Sequence, residues 1–377
     1  MKFSTQLLQG KPPFEPTGAT LPPIYQVSAF AHESAEQLEN VFANKAPGFA
    51  YTRLQNPTIL AFEQRIAQLE GGAGAVACAS GMAAVASVLL GFLSQGDELI
   101  ACAGLFGGTL ELLGHLERFG IHTRFAKQMN LEQVLALLTD RTKLIFTEYI
   151  SNPALEVADL EGLAELAARR GILLAVDSTT ATPALVRPLA LGAHLVVHSS
   201  SKYITGNGSA ISGVVVALRL RELQTLRQGI WHSMGACLAP QNAWLAYIGL
   251  ETLALRMERA AANAAALAQA LRKTYGPQRV NYPGVGAIIT LRAGSRANAF
   301  ALMNRLRLVK IATNIGDVRT LAIHPASTIY REANAAQKQA AGVFDDLIRV
   351  SVGLEDAENL IADFQQAAGE ASNGNGL

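Results

Sequence analysis

Asp177 and Lys202 stand 25 positions apart, each just beyond a short apolar run: Ile172–Val176 for the aspartate and Leu195–His198 for the lysine. A carboxylate and an amine on neighbouring strand ends have a definite chemical use. The amine condenses with an aldehyde to an imine, and the carboxylate keeps a pyridine nitrogen protonated so that the ring accepts electrons. Together they suit a pyridoxal cofactor. Burial lowers a lysine's affinity for its proton, which lets the amine serve as a base near neutral pH. Either residue alone means little, because most lysines are solvated and an aspartate after a strand is usually a turn or cap residue.

Two further segments have the composition of an anion site. In His198-Ser199-Ser200-Ser201-Lys202-Tyr203 the hydroxyls of Ser199 and Ser201 could hold a phosphate while the amine faces an aldehyde; the alternative is a plain Ser-rich loop. In Ala79-Ser80-Gly81-Met82-Ala83-Ala84 a strand runs into a helix. Gly81 would let the backbone approach an anion, and the helix start offers N–H groups and a positive dipole end. Many strand-to-helix turns look the same and bind nothing.

These residues need a scaffold, and the chain predicts one. From Asn56 onward the signals are regular: Asn56-Pro57 reads as a cap followed by Pro at the first helical position, and Phe62, Ile66 and Leu69 form one apolar face that ends at Gly71. Short apolar runs then alternate with amphipathic helices, at Ala75–Ala79, Glu98–Cys102, Lys143–Thr147, Ile172–Val176, Leu195–His198 and Val214–Leu218. That alternation predicts an α/β fold with a mostly parallel sheet, whose ligands sit beyond the carboxyl ends of the strands. Residues 1–48 read as an extended arm, punctuated by Pro12, Pro13, Pro16, Pro22 and Pro23, with a short helix near Ser34–Phe42; it is expected to pack on another subunit. Residues 49–245 then form the large domain. Gln241–Tyr275 reads as one long helix connecting it to a smaller α+β domain, residues 246–377, with strands at Ala287–Arg292, Lys310–Thr313, Leu321–His324 and Leu347–Val352 and helices around Ala297–Leu306 and Ala357–Ala367. The tail ASNGNGL is expected to fray.

The 377 residues are half hydrophobic and carry a formal net charge of +1, which gives no electrostatic case for nucleic acid or an anionic membrane. The three cysteines, Cys78, Cys102 and Cys237, lack metal-ligand spacing and are odd in number, against a disulfide framework. His194 and His198 flank Leu-Val-Val in an expected strand, where a spacing of four does not build a metal site, so a core or hydrogen-bonding role is expected and no metal. The amino terminus lacks the apolar run of a secretory signal. The apolar stretch Ala73–Leu93 is broken by Ser80-Gly81 and Ser87, which reads as strand plus helix rather than a membrane span. A soluble, cytoplasmic protein is expected.

Ordered segments along the chain carry a resemblance. They are Pro22-Pro23-Ile24, Tyr51-Thr52-Arg53 with Asn56-Pro57-Thr58, Ser80-Gly81-Met82-Ala83-Ala84, Phe106-Gly107-Gly108-Thr109 and Asn152-Pro153. They continue through Val176-Asp177-Ser178-Thr179, the Ser-Lys segment, Gly316-Asp317, His324-Pro325-Ala326-Ser327-Thr328 and Arg349-Val350-Ser351-Val352-Gly353-Leu354-Glu355-Asp356. The chain resembles the Cys/Met-metabolism pyridoxal-phosphate enzymes, which implies the fold type I (aspartate-aminotransferase-like) architecture and pyridoxal 5'-phosphate. The resemblance further implies that Tyr51 and Arg53 reach across a dimer interface to a neighbour's phosphate. It implies that Gly81 and Met82 bind phosphate through their backbone, with Ser199 and Ser201 through hydroxyls and Thr179 also at the cofactor. Phe106 would lie on the cofactor ring, Asn152 near its phenolic oxygen, Asn314 at the substrate, and Arg349 on the substrate's α-carboxylate, where a planar fork suits two parallel hydrogen bonds. A homo-oligomer, as a dimer of dimers, is the family expectation.

Within the family three features are most similar to O-acylhomoserine sulfhydrylases: Asn314 in Thr313-Asn314-Ile315-Gly316-Asp317, Phe106 where many members have Tyr, and the loop Gly206–Gly213 after the lysine. The expected reaction is γ-replacement of the acyl group of an amino-acid substrate by sulfide or a thiol. Methionine γ-lyase and cystathionine synthase or lyase activities are the alternatives, and a non-catalytic cofactor- or sulfur-carrier-binding homologue is the alternative of another class. Departures cluster near the substrate mouth: Tyr330 replaces the usual histidine and follows Ile329, Glu148–Pro153 lacks a first proline, and Tyr282-Pro283-Gly284 runs almost directly into Val285-Gly286-Ala287. They leave the acyl group and the sulfur donor open.

Overall fold

In the computed structural model, which describes residues 1–9 and 17–372, the expected alternation folds into two sheets. Pro12, Pro13 and Pro16 of the arm and the last five residues of the tail lie outside the described residues. The strands of the large sheet are β1 (Gly74–Cys78), β2 (Glu98–Cys102), β3 (His122–Ala126), β4 (Thr142–Glu148), β5 (Leu173–Asp177), β6 (Leu195–His198) and β7 (Gly213–Ala217), in the spatial order 1-7-6-5-4-2-3. All but β7 run the same way; β7 lies antiparallel between β1 and β6. Strands covered on both faces must be apolar throughout, and every residue of β2 and β7 is buried. The edge strand β3 was not anticipated. Among the described residues it pairs with β2 alone, and its sequence His-Thr-Arg-Phe-Ala is half exposed and carries no apolar run.

The helix over Pro57–Glu70 forms as expected. Asn56 accepts the N–H of Thr58, Pro57 occupies the first turn, and Gly71 ends the helix in the left-handed region at φ 78°. Its face of Phe62, Ile66 and Leu69 is completely buried against β1; truncating such a phenylalanine costs about 3–5 kcal/mol. The arm also holds an unforeseen helix, Phe3–Leu8, whose Leu7 is buried within its own chain and whose carbonyls at Gln6 and Leu7 accept from Arg65. The expected helix near Ser34–Phe42 spans Ala35–Phe42, capped by Ser34.

One expectation is corrected. Gln241–Tyr275 is two helices, Pro240–Glu251 and Leu253–Tyr275, broken at Thr252 where ψ is 5°. No Gly or Pro marks the break, so periodicity alone does not reveal it. The small sheet comprises β8 (Val280–Asn281), β9 (Ile288–Arg292), β10 (Lys310–Ile311), β11 (Leu321–Ile323) and β12 (Leu347–Ser351), in the order 10-11-12-9-8. Leu253, Met257 and Ala260 of the longer helix belong to the large core, whereas Ala264, Leu267, Ala268 and Leu271 belong to the small one. The terminal helix runs Ala357–Ser372, so the first two residues of the tail are helical.

Candidate active site

The antiparallel insertion of β7 leaves β1, β2, β4, β5 and β6 pointing their carboxyl ends to one edge. Beyond that edge lies a cavity of about 630 Å3, closed on its other side by the segments Thr313–Ile315 and Ser327–Ile329 and by Arg349. Each strand end delivers a residue to it: Gly81 and Met82 after β1, Phe106 after β2, Glu148 and Asn152 at β4, Asp177 and Thr179 at β5, Ser199 and Lys202 after β6.

Lys202 Nζ donates to Asn314 Oδ1 at 2.6 Å. Its pKa is lowered from the usual lysine value, first by burial and then by the Arg349 charge. Arg349 rises from the centre of β12 and is only 4% exposed. It donates from Nη1 to Asn152 Oδ1 (3.3 Å) and from Nη2 to the Asn314 carbonyl (3.0 Å), while its buried Nε has no partner. Burial lowers its pKa to about 10, so it stays charged at neutral pH. A buried cation with an open N–H is suited to a carboxylate.

Asp177 lies at the cavity floor, where its Oδ1 accepts the N–H of Thr179 at 2.9 Å, and Thr179 Oγ1 accepts the N–H of Ser199 at 2.8 Å. Burial raises the Asp177 pKa, opposed by the Thr179 hydrogen bonds and by His198 on the adjoining strand. His198 is itself completely buried and meets Glu70 at 2.6 Å, the hydrogen-bonding role expected of it. Glu148, directly opposite Asp177 on β4, was not anticipated as a site residue. Its carboxylate accepts from the backbone of Phe106 (2.6 Å) and of Asn152 (3.0 Å), and burial beside Asp177 pushes its pKa well up. The same strand-end argument that picked out Asp177 applies to it.

At the other end of the cavity the helix Gly81–Phe92 begins. Ser80 caps it by accepting the N–H of Ala83 at 3.0 Å. Gly81 and Met82 line the cavity, and their N–H groups, in the first turn, have no intrahelical acceptor. A Cβ on Gly81 would stand 2.5 Å from Cβ of Ser199, so only glycine lets this turn approach the serine loop so closely. Ser201 is placed differently: its hydroxyl donates to the Ser212 carbonyl (3.0 Å) and accepts the Ser212 N–H (2.8 Å), and it does not line the cavity. Tyr51 and Arg53 also lie outside their own chain's cavity. Tyr51 is 42% exposed, with the Arg53 guanidinium 5.6 Å from its ring centre and Arg53 Nη1 donating to the His232 carbonyl.

A sequence model for Cys/Met metabolism PLP-dependent enzymes matches residues 4–368. The chain belongs to that family. An L-methionine γ-lyase of Fusobacterium nucleatum subsp. polymorphum is 40% identical over 369 residues, covering 93% of both chains. An O-succinylhomoserine sulfhydrylase of Pseudomonas aeruginosa is 38% identical over 358 residues, covering 90% of this chain and 88% of its own. Among solved structures, a candidate O-acetylhomoserine (thiol)-lyase of Campylobacter jejuni, which carries a pyridoxyl-lysine, superposes with a TM-score of 0.91 at 32% identity over 97% of this chain and 99% of the other.

The fold is thus that of the fold type I pyridoxal-phosphate enzymes, and the cofactor is pyridoxal phosphate. The cavity of this Cys/Met-metabolism enzyme fits that group. Asp177 is a half-buried carboxylate with no ion-pair partner among the described residues, which a protonated ring nitrogen would supply. The helix start at Gly81-Met82 and the Ser199 hydroxyl offer donors for a phosphate, and Lys202 presents an amine between the two ends. Among the described residues no helix is long and apolar enough to cross a membrane.

Proposed function

We propose that this enzyme is an O-acylhomoserine sulfhydrylase, replacing the acyloxy group on the γ-carbon with sulfide to release homocysteine and a carboxylic acid. When bound, pyridoxal phosphate acidifies the substrate's α- and then β-hydrogens by drawing electrons into its ring. Lys202 Nζ takes the α-proton and relays a proton at the β-carbon; burial and the Arg349 charge favour its unprotonated form, and its bond to Asn314 Oδ1 aims it. Arg349 holds the α-carboxylate with the N–H groups it leaves open, and Asp177 would keep the cofactor's ring nitrogen protonated. Tyr51 and Arg53 complete a neighbouring subunit's phosphate site in a dimer, itself half of a tetramer.

One observation carries the preference for an ester substrate. The aromatic residue facing the cavity is Phe106, and no tyrosine of the same chain lines it among the described residues. A thiolate leaving from the γ-carbon benefits from a nearby phenolic proton. A carboxylate, whose acid is stronger by about four pKa units, leaves without one. The γ-lyase reading keeps a specific support of its own, the 40% identity to a methionine γ-lyase. Product analysis of the cofactor-loaded protein separates the two. Homocysteine formed from O-acetyl- or O-succinylhomoserine only when sulfide is present supports the proposal; 2-oxobutyrate released regardless of sulfide makes the protein a lyase.

A further inference from the structure

Among the described residues three cations line the cavity; the proposed reaction uses Lys202 and Arg349 and leaves Arg331 without a task. Arg331 stands at the mouth with its side chain 72% exposed, and among the described residues its guanidinium is paired with the neighbouring Glu332 at 2.8 Å. An ion pair between two such exposed side chains contributes about 0–1 kcal/mol and is readily exchanged for a better anion.

The backbone that carries Arg331 is held firmly. Tyr330 is 1% exposed and buries its ring among Ala326, Ala341 and Val343, and its hydroxyl donates to the Leu105 carbonyl at 2.6 Å. The N–H of Tyr330 bonds the Pro325 carbonyl and that of Arg331 the Thr328 carbonyl. With Tyr330 anchored away from the cavity, its neighbours Ile329 and Arg331 both line it. An apolar side chain followed by a cation at the rim matches an acyl group that is aliphatic near the ester and anionic at its far end.

Resting on the sulfhydrylase reading, we infer that Arg331 is a specificity residue that binds the distal carboxylate of a dicarboxylic acyl group, so that the substrate is O-succinylhomoserine rather than O-acetylhomoserine. Arg349 and Arg331 then divide the labour: the buried arginine holds the α-carboxylate and the rim arginine the acyl terminus. Acetyl esters and methionine present nothing to Arg331. Cystathionine presents a carboxylate beside an ammonium group, which Arg331 repels.

The test follows acyl release, as succinate or acetate, from both esters by the cofactor-loaded enzyme, with the sulfur product measured in the same samples. The parent should favour the succinyl ester. In Arg331→Gln the ratio of kcat/KM for succinyl over acetyl should fall about tenfold, the low end for a charge-assisted hydrogen bond because the site is wet, and the loss should sit in KM. Added salt should raise the parent's KM for the succinyl ester, and Arg331→Lys should recover part of the ratio. Retained cofactor and an unshifted melting curve in Arg331→Gln guard against misfolding. A parent that prefers the acetyl ester, or a ratio unmoved in Arg331→Gln, overturns the arginine assignment alone. Acyl release that yields 2-oxobutyrate with sulfide present overturns the sulfhydrylase reading, while the ratio still reports on Arg331. Failure to use either ester overturns both.

Discussion

Removing one oxygen atom from Tyr330 tests whether the wall of the active site is held as described. The hydroxyl has a single proton, given to the Leu105 carbonyl at 2.6 Å, and a second carbonyl, that of Asn152, lies 3.2 Å away. In Tyr330→Phe the ring still fills its pocket, so no cavity forms, but the Leu105 carbonyl is left buried without its donor. Such an orphaned acceptor costs about 1–3 kcal/mol. Leu105 immediately precedes Phe106, and Asn152 contacts Arg349, so part of that cost falls on two walls of the site. Were 1–2 kcal/mol expressed as misplacement in the transition state, kcat/KM would fall by about 5–30-fold. Urea unfolding of the holoenzyme, read at its midpoint, and steady-state kinetics on both homoserine esters measure the two parts. Tyr330→Ala, which also opens a cavity, should lose more, about 3–5 kcal/mol. An unshifted midpoint together with unchanged kcat/KM in Tyr330→Phe would refute the argument that this hydroxyl fastens the wall.

Three further outcomes are expected. Lys202→Ala should abolish turnover and the visible absorbance of the lysine-bound cofactor; steady-state turnover retained in that variant would sink the assignment. Gly81→Ala forces a Cβ to within 2.5 Å of Ser199 and should weaken cofactor retention by about tenfold or more, measured as pyridoxal phosphate content after dialysis. Glu98, held by Arg124 at 2.5 Å with Thr139 and Arg141 beside it, has its pKa lowered from 4.5 to about 2. Because the folded-state value is the lower one, the stabilisation is fully present above pH 4.5 and is lost as pH falls toward 2. Glu98→Gln should therefore be less stable than the parent at pH 7 and converge with it near pH 2; equal stability at pH 7 would count against the network.

Much of the large sheet was readable because doubly covered strands are apolar runs and their ends are where polar residues become conspicuous. Asp177 and Lys202 were found that way, and Asn56, Pro57 and Gly71 announce their helix by local chemistry alone. What escaped was whatever depends on distant partners. The strand His122–Ala126 exists because β2 offers it an edge, and the break at Thr252 falls between Leu250 and Leu253, both buried in the large core, with no Gly or Pro to announce it. Glu148 carried the same strand-end signal as Asp177, and only its pairing opposite that residue on β4 gives it weight. Arg331 gave no local signal: its place at the mouth is set by where the Tyr330 ring is buried.

The helix Leu253–Tyr275 has a mechanical consequence. Its first turns are bonded into one core and its later turns into the other, with the crossover between Ala260 and Ala264. A beam clamped at both ends transmits torque, so the small lobe cannot swing on a slack tether. Since Arg349 rides on the small sheet while Lys202 follows a strand of the large one, this rod, with the cross-cavity bonds Arg349–Asn152 and Lys202–Asn314, fixes the distance between the group that grips the substrate and the group that moves its proton.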